Sequence, residues 1–155
     1  MKMWMLFGGL VVAMPFALVL ATVPTAHAFD EADVQKLADT NECAGCDLSG
    51  ADLTGLELRH AKVPGANLEG ANLSGMDLAG SKFTGAKLSG ANLRGAGLGN
   101  AYFDETDLTN ADLRDVSAYI TNFKNADMTG AKLNEDSIGG ALLRGTIMPD
   151  GSKNE

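Results

Sequence analysis

The sequence predicts an all-β solenoid, four-sided in section, with a short α-helix covering its first coil. Three observations predict it. From Leu48 to Met148 an apolar residue returns at every fifth position, 21 times without an insertion. Two residues before these centres, 12 of the 21 positions are Ala, and two residues after them 12 of 21 are Gly. Three of the centres are Phe83, Phe103 and Phe123, spaced by 20 residues.

A period of five matches neither a helix at 3.6 nor a strand at 2. It matches a chain that turns a corner every five residues. At the chain's apolar fraction of 45%, about nine or ten of the centres would be apolar by chance, whereas all are. The small residue and the centre of each unit point inward, and the others outward. Ala at the inner position limits the volume of a narrow interior, and Gly relieves the corner, where a Cβ would crowd the next coil. Thirteen centres are Leu; Val63, Ala118, Met128, Ile138 and Met148 complete the set with the three Phe. A 20-residue spacing equals four units. If four units make one coil, the rings stack in a ladder on one face, and the section is square.

The segments before the repeat follow in order. Residues 1–28 carry Lys2, an apolar run from Met3 to Leu20, Pro24, and Ala26-His27-Ala28. This is the pattern of a secretory signal cut between Ala28 and Phe29. The competing reading is an uncleaved N-terminal anchor, since about 18 apolar residues just span a bilayer. No Cys follows the cut, which argues against a lipoprotein. Cleavage leaves 11 positive and 20 negative side chains, a net charge of −9 against −8 for the whole chain. Residues 29–45 hold the cap and a Cys segment. Asp30 is a good N-cap, Glu31 and Asp33 place charge in the first turn, and Phe29 is placed to staple onto Val34. Val34, Leu37 and Ala38 form the expected apolar stripe.

Cys43 and Cys46 read C-A-G-C. In an exported protein a structural disulfide is the first expectation, with free thiols and a redox pair as alternatives. Haem attachment requires C-x-x-C-H, and Asp47 stands in the His position. A metal site would need two further ligands. No cofactor and no metal are expected; a Ca²⁺ ion between Asp columns is a minor alternative.

The A-(D/N)-L-x-x pattern, from Cys46 to about Asp150, resembles the pentapeptide-repeat family. The resemblance covers two-thirds of the chain. It implies a right-handed quadrilateral β-helix of five coils and one extra side, roughly 25 Å tall at the usual strand spacing. The segments C-x-G-C-D-L-S-G and T-I-M-P-D-G also resemble ends seen in that family. Gly151 to Glu155 is expected to be a disordered tail. Four departures stand out. Leu56 and Met76 are large for inner positions. Val116 precedes the small centre Ala118, whose space it can fill. Asp136 would point inward, costly for a carboxylate, so the last coil is expected to loosen around Asn134 to Ser137.

The resemblance also implies a candidate activity, since some family members present an acidic rod to DNA gyrase and protect it from quinolones. Export disfavours that here, because gyrase is cytoplasmic. Lys62, Lys82, Lys87, Arg94, Arg114, Lys124 and Lys132 interrupt the acidic surface, and no long C-terminal dimerisation helix follows the repeat. The acidic balance disfavours nucleic-acid binding by phosphate neutralisation. No catalytic constellation is expected: His60 stands at an outward corner without a nucleophile, and the acidic residues Asp47, Asp52, Glu57, Asp77, Asp107, Asp112 and Asp127 lie scattered along the outer face.

Stacking the units in columns places Tyr102, Tyr119, Ile120 and Leu142 around one corner, a candidate interaction patch. The expected function is a non-enzymatic, exported scaffold binding a protein or a cell-envelope component, with no nucleic acid and no integral span after leader cleavage. The expected location is the periplasm or an equivalent lumen, with secretion as the alternative. Gyrase mimicry and Cys-x-x-Cys redox chemistry are the competing functions.

Overall fold

The computed structural model describes residues 29–134 and 136–155. The signal-peptide reading of residues 1–28 lies outside the described residues. Within them, no helix is long and apolar enough to cross a membrane.

The one helix among the described residues, α1, spans Glu31–Thr40. It starts where the Asp30 side chain accepts the Ala32 amide at 2.8 Å, with Glu31 and Asp33 in the positive first turn. It ends at Asn41, which turns left-handed at φ 57° and donates its amide to the Leu37 carbonyl. Leu37 is buried, and Phe29 and Val34 pack against the core. Ala38, expected in the apolar stripe, is exposed. The helix meets the first coil along a narrower line than three apolar residues suggest. Asp30 N–H donates to the Asp47 carbonyl at 3.0 Å, which fastens the helix start to that coil.

The rest of the chain is a stack of coils joined by parallel β-bridges between residues mostly 20 apart. One column runs Asp47, Asn67, Lys87, Asp107, Asp127, Ile147, and a second runs Asp52, Asn72, Asn92, Asp112, Lys132. A third joins Asp77, Gly97 and Ser117, and the fourth joins Glu42, Lys62, Lys82, Tyr102, Asn122 and Leu142. Four columns at a 20-residue repeat make a four-sided coil, as the Phe spacing predicts. Most centres donate upward, as Leu48 N does to Asn67 O at 2.7 Å, and most corners close on themselves, as Ala51 N does on Leu48 O at 3.1 Å. The ladder therefore satisfies the backbone although each strand is only a bridge long.

Of the 21 centres, 17 are buried. Leu133, Ile138, Leu143 and Met148, which make up the last coil, are half-buried because no full coil follows. The Phe rings stack at 4.7 Å between Phe83 and Phe103, and at 5.3 Å between Phe103 and Phe123. Where Ser or Thr replaces the inner Ala, its hydroxyl bonds to a carbonyl of the coil below: Ser81 to Leu58, Thr106 to Phe83, Thr121 to Leu98 and Thr146 to Phe123. The interior thus admits a hydroxyl because an acceptor is already there. Outside, the Asp or Asn before each centre caps the amide two residues on, as Asp52 does for Thr54 and Asn92 for Arg94.

Three features differ from the sequence expectation. The solenoid begins one unit earlier, since Glu42 pairs with Lys62 and Cys43 is a fully buried centre. Asp136 is exposed, not inward. The chain slips by one residue, Ser137 takes the buried place, and its hydroxyl accepts the Asn134 amide at 3.0 Å. The corner below follows the slip, Ile120 donating to Gly140 O at 3.0 Å. The coil loosens in the expected segment, and solvating the carboxylate is the physical cause. Finally, Gly151–Glu155 is paired instead of disordered. Gly151 turns at φ 83°, Lys153 bridges antiparallel to Ile147, and Gly145 N and Asn154 N exchange bonds with Asn154 O and Thr146 O at 2.6 and 2.8 Å. The tail covers the open backbone edge that the last coil would otherwise present.

Candidate interaction surface

The corner between the third and fourth columns carries the most exposed apolar surface. Tyr102, Tyr119, Ile120 and Leu142 are the exposed large hydrophobic residues among those described, at 45%, 65%, 46% and 47%. They are the four residues of the predicted patch. Tyr102, Asn122 and Leu142 follow one another up a single column, so Leu142 lies two coils above Tyr102, about 10 Å away at the usual strand spacing. Tyr119 and Ile120 stand on the corner of the intermediate coil. Tyr119 leans upward over Gly140, whose absent Cβ would lie 3.2 Å from its ring. Lys82, one coil below Tyr102, lies 5.9 Å from that ring's centroid, an approach the sequence reading missed and the column alignment could have found.

Ile120 adds a second signal. The last residue of nearly every described unit sits at positive φ, most often as Gly, with Gly55 and Asp150 as exceptions. Where it is not Gly, it is His60, Asn100, Glu105, Asn110, Asp115, Asn125 or Ile120. A β-branched residue at φ 56° is a steric outlier costing of the order of 1–2 kcal/mol. Ile120 has this cost while leaving nearly half its surface in water.

The other sequence candidates fall elsewhere. Cys43 and Cys46 lie at the cap end with Cα atoms 5.4 Å apart, within the range a disulfide spans. Asp33 comes close enough to complete a cluster of three potential ligand groups with them, but its carboxylate accepts the Asp47 amide at 2.8 Å. His60 lies against Gly80, where any side chain would collide with the imidazole, beside the Arg59–Asp77 ion pair.

Among the described residues four surface ion pairs tie charges together: Arg59–Asp77, Lys62–Glu42, Arg94–Asp115 and Arg114–Asp112. In the last, the two-pronged guanidinium of Arg114 holds the Asp112 carboxyl down to about 2. The Ser49 and Thr54 hydroxyls likewise lower Asp47 and Asp52, and Lys62 lowers Glu42. These shifts follow from the Asx caps and ion pairs of the outer faces and mark no convergent acid–base site.

A shallow hollow of about 540 Å³ opens at the C-terminal end, lined by Lys124, Asn125, Arg144, Gly145, Lys153, Asn154 and Glu155. The sequence reading did not single it out, because the tail that closes it was not expected to be ordered.

The family model for pentapeptide repeats matches residues 42–70, 64–98 and 96–134, in eight copies. No curated protein matches the chain. Among solved structures, the chain is similar to a pentapeptide repeat protein from the Arabidopsis thaliana thylakoid lumen, at 29% identity over 78% of this chain and 74% of that one, TM-score 0.42. It is similar to the plasmid-mediated fluoroquinolone resistance protein QnrB1, at 28% identity over 56% of this chain and 42% of that one, TM-score 0.48. It is also similar to HetL, involved in heterocyst differentiation regulation in the cyanobacterium Nostoc, at 28% identity over 73% of this chain and 60% of that one, TM-score 0.34.

Proposed function

From the premise that the chain belongs to the pentapeptide-repeat family, we propose that it is a non-enzymatic, exported scaffold that docks another protein on the Tyr102, Tyr119, Ile120 and Leu142 corner. The observation that carries this reading is the gathering of the exposed large hydrophobics on one corner. Apolar side chains scattered singly need no explanation, but a cluster on a small, otherwise polar surface is what interfaces present. The strained, half-exposed Ile120 supports the same reading, since strain persists where a function holds it. The partner is a protein or envelope component with an apolar, aromatic-accepting face.

The leader sequence supports export, with a cut between Ala28 and Phe29, and export would sustain the Cys43–Cys46 bond as a staple between the cap and the first coil. N-terminal sequencing of the mature protein is expected to start at Phe29. Recovery of the cytoplasmic protein with its leader intact would revive gyrase mimicry. Docking is tested by a photo-crosslinking residue at position 119, with one at position 94 on another column as control. Adducts at 119 that disappear in a Tyr102→Ala variant support the corner. Equal adducts at both positions, or none at 119, refute it.

A further inference from the structure

We propose that the hollow at the C-terminal end of the solenoid is a binding site for a phosphate group, free or carried as a headgroup. Its wall is built from two coils and the returning tail. Lys124 and Arg144 occupy the same register on successive coils, since Asn125 N donates to Arg144 O at 3.1 Å. Lys153 is brought to the same place by its bridge to Ile147. Three cations therefore line one concave surface on a chain of net charge −8.

None of the three has an acidic partner among the described residues. Arg59, Lys62, Arg94 and Arg114 each have one, and Lys82 has the Tyr102 ring. The nearest carboxylate below in the column, Asp104, is spent elsewhere. Its two oxygens accept the Thr84 hydroxyl at 2.6 Å and the Asn122 amide at 2.7 Å. Like charges on adjacent strands oppose each other across about 4.8 Å. Elsewhere the cations of the stack face an acid or a ring: Lys87 bridges to Asp107 and Lys132 to Asp112, Lys62 pairs with Glu42 and Lys82 approaches Tyr102, whereas Lys124 and Arg144 face each other.

The chemistry of the lining selects the ligand. Arg144 offers a planar fork suited to tetrahedral oxyanions, and the two Lys offer point charges. Asn125 lies against Gly145, which has no Cβ to stand in its way, and supplies a neutral amide. Glu155 also lines the hollow and opposes an anion. The site is therefore suited to a group with more than one negative charge, which phosphate has and a single carboxylate lacks. It adjoins the corner at Leu142, which lines the neighbouring hollow with Lys124 and Arg144, but none of Tyr102, Tyr119 and Ile120 lines it, so its failure leaves the crosslinking result at position 119 unchanged.

The test is an NMR titration of the full folded protein with inorganic phosphate at low ionic strength. Saturable shifts are expected at the amides of residues 124–126, 144–146 and 153–155. Affinity should fall roughly tenfold for each of Lys124→Gln and Arg144→Gln, and rise in Glu155→Gln. Thermal melts of the same variants establish that they fold. A second arm uses vesicles of neutral lipid with and without an anionic phospholipid. Retention on the anionic vesicles that is lost in the double Gln variant assigns the group to a headgroup, and phosphate binding without retention assigns it to a free anion. Shifts that do not saturate, or that persist unchanged in the double variant, together with no variant-sensitive vesicle binding, would overturn the proposal.

Discussion

Replacing the Phe ladder one ring at a time separates stacking from simple burial. Phe83, Phe103 and Phe123 are all fully buried centres, and Leu fills most other centres, so Leu fits the backbone at each. Phe→Leu removes a similar volume at all three places, for roughly 1 kcal/mol. The rings differ in their neighbours. Phe83 stacks on Phe103 at 4.7 Å with planes 8° apart, and Phe103 also stacks on Phe123 at 5.3 Å and 27°. The middle ring loses two contacts and the end rings one each, at about 0.5–1.5 kcal/mol per contact beyond area. Phe103→Leu should therefore cost about 2–4 kcal/mol and Phe83→Leu about 1.5–2.5. The assay is urea unfolding followed by far-UV circular dichroism, with m-values compared to confirm one cooperative transition. The double variant Phe83→Leu/Phe103→Leu should cost less than the sum of the singles, because their shared contact is counted twice. Equal losses at 83 and 103, with strict additivity, would refute the stacking account and leave burial alone.

Three further outcomes follow from named contacts. Ile120→Asn, which installs the residue found at the equivalent corners Asn100, Asn110 and Asn125, should change stability by less than about 1 kcal/mol, the relief of left-handed strain offsetting the lost apolar contact; a thermal melt showing a loss above about 2 kcal/mol would mean that the side chain serves the fold. Asp112, held at about 2 by Arg114, contributes stability that is complete above the ordinary carboxylate pKa of 3.8 and lost as pH falls toward 2, so Asp112→Asn should flatten the acid limb of a pH–stability curve by about 1 kcal/mol after allowing for the half-exposed arginine. Ending the chain at Asp150 removes the bonds of Gly145 N to Asn154 O, Asn154 N to Thr146 O and Met148 N to Ser152 O, and should cost about 2–4 kcal/mol, read locally as faster amide exchange at residues 145–148.

The solenoid was legible because its signal is redundant. Each centre repeats the same choice, and one Phe spacing is enough to count the sides. The shared exposure of Tyr102, Tyr119, Ile120 and Leu142 was legible for the same reason, since a fixed coil length turns sequence distance into columns. What could not be read falls where the repeat loses its grip. Cys43 holds a centre position but is not the Leu the pattern leads one to seek, so the first unit was missed. Ala38 follows a helical stripe, yet the coil beneath is too narrow to reach it. Asp136 breaks register because hydrating a carboxylate outweighs keeping one more regular corner. The tail is short, polar and devoid of pattern. What orders it is an open edge of backbone donors and acceptors, a property of the stack and not of residues 151–155 themselves. The basic hollow inherits that blindness, because one of its three cations stands on the tail.

The regularity that makes such a chain easy to fold also makes its exceptions informative. In an irregular protein a residue at positive φ has many local explanations. Here the same corner recurs up the stack, and Gly, Asn, Asp and His meet its demand through missing or hydrogen-bonding side chains. Glu105 and Ile120 meet it by neither route. Glu105 is polar and extends into water. Ile120 is β-branched, half-exposed, and flanked by the most exposed Tyr in the chain. Local preference and global fold disagree at this position, which is where the docking reading proposed above and a purely structural role for Ile120 part. If the corner binds nothing, Ile120 is a cost of about 1–2 kcal/mol with no return. If it docks a partner, the same left-handed corner presents Ile120 and Tyr119 to that partner at the edge between two faces, where a flat side of the stack could not.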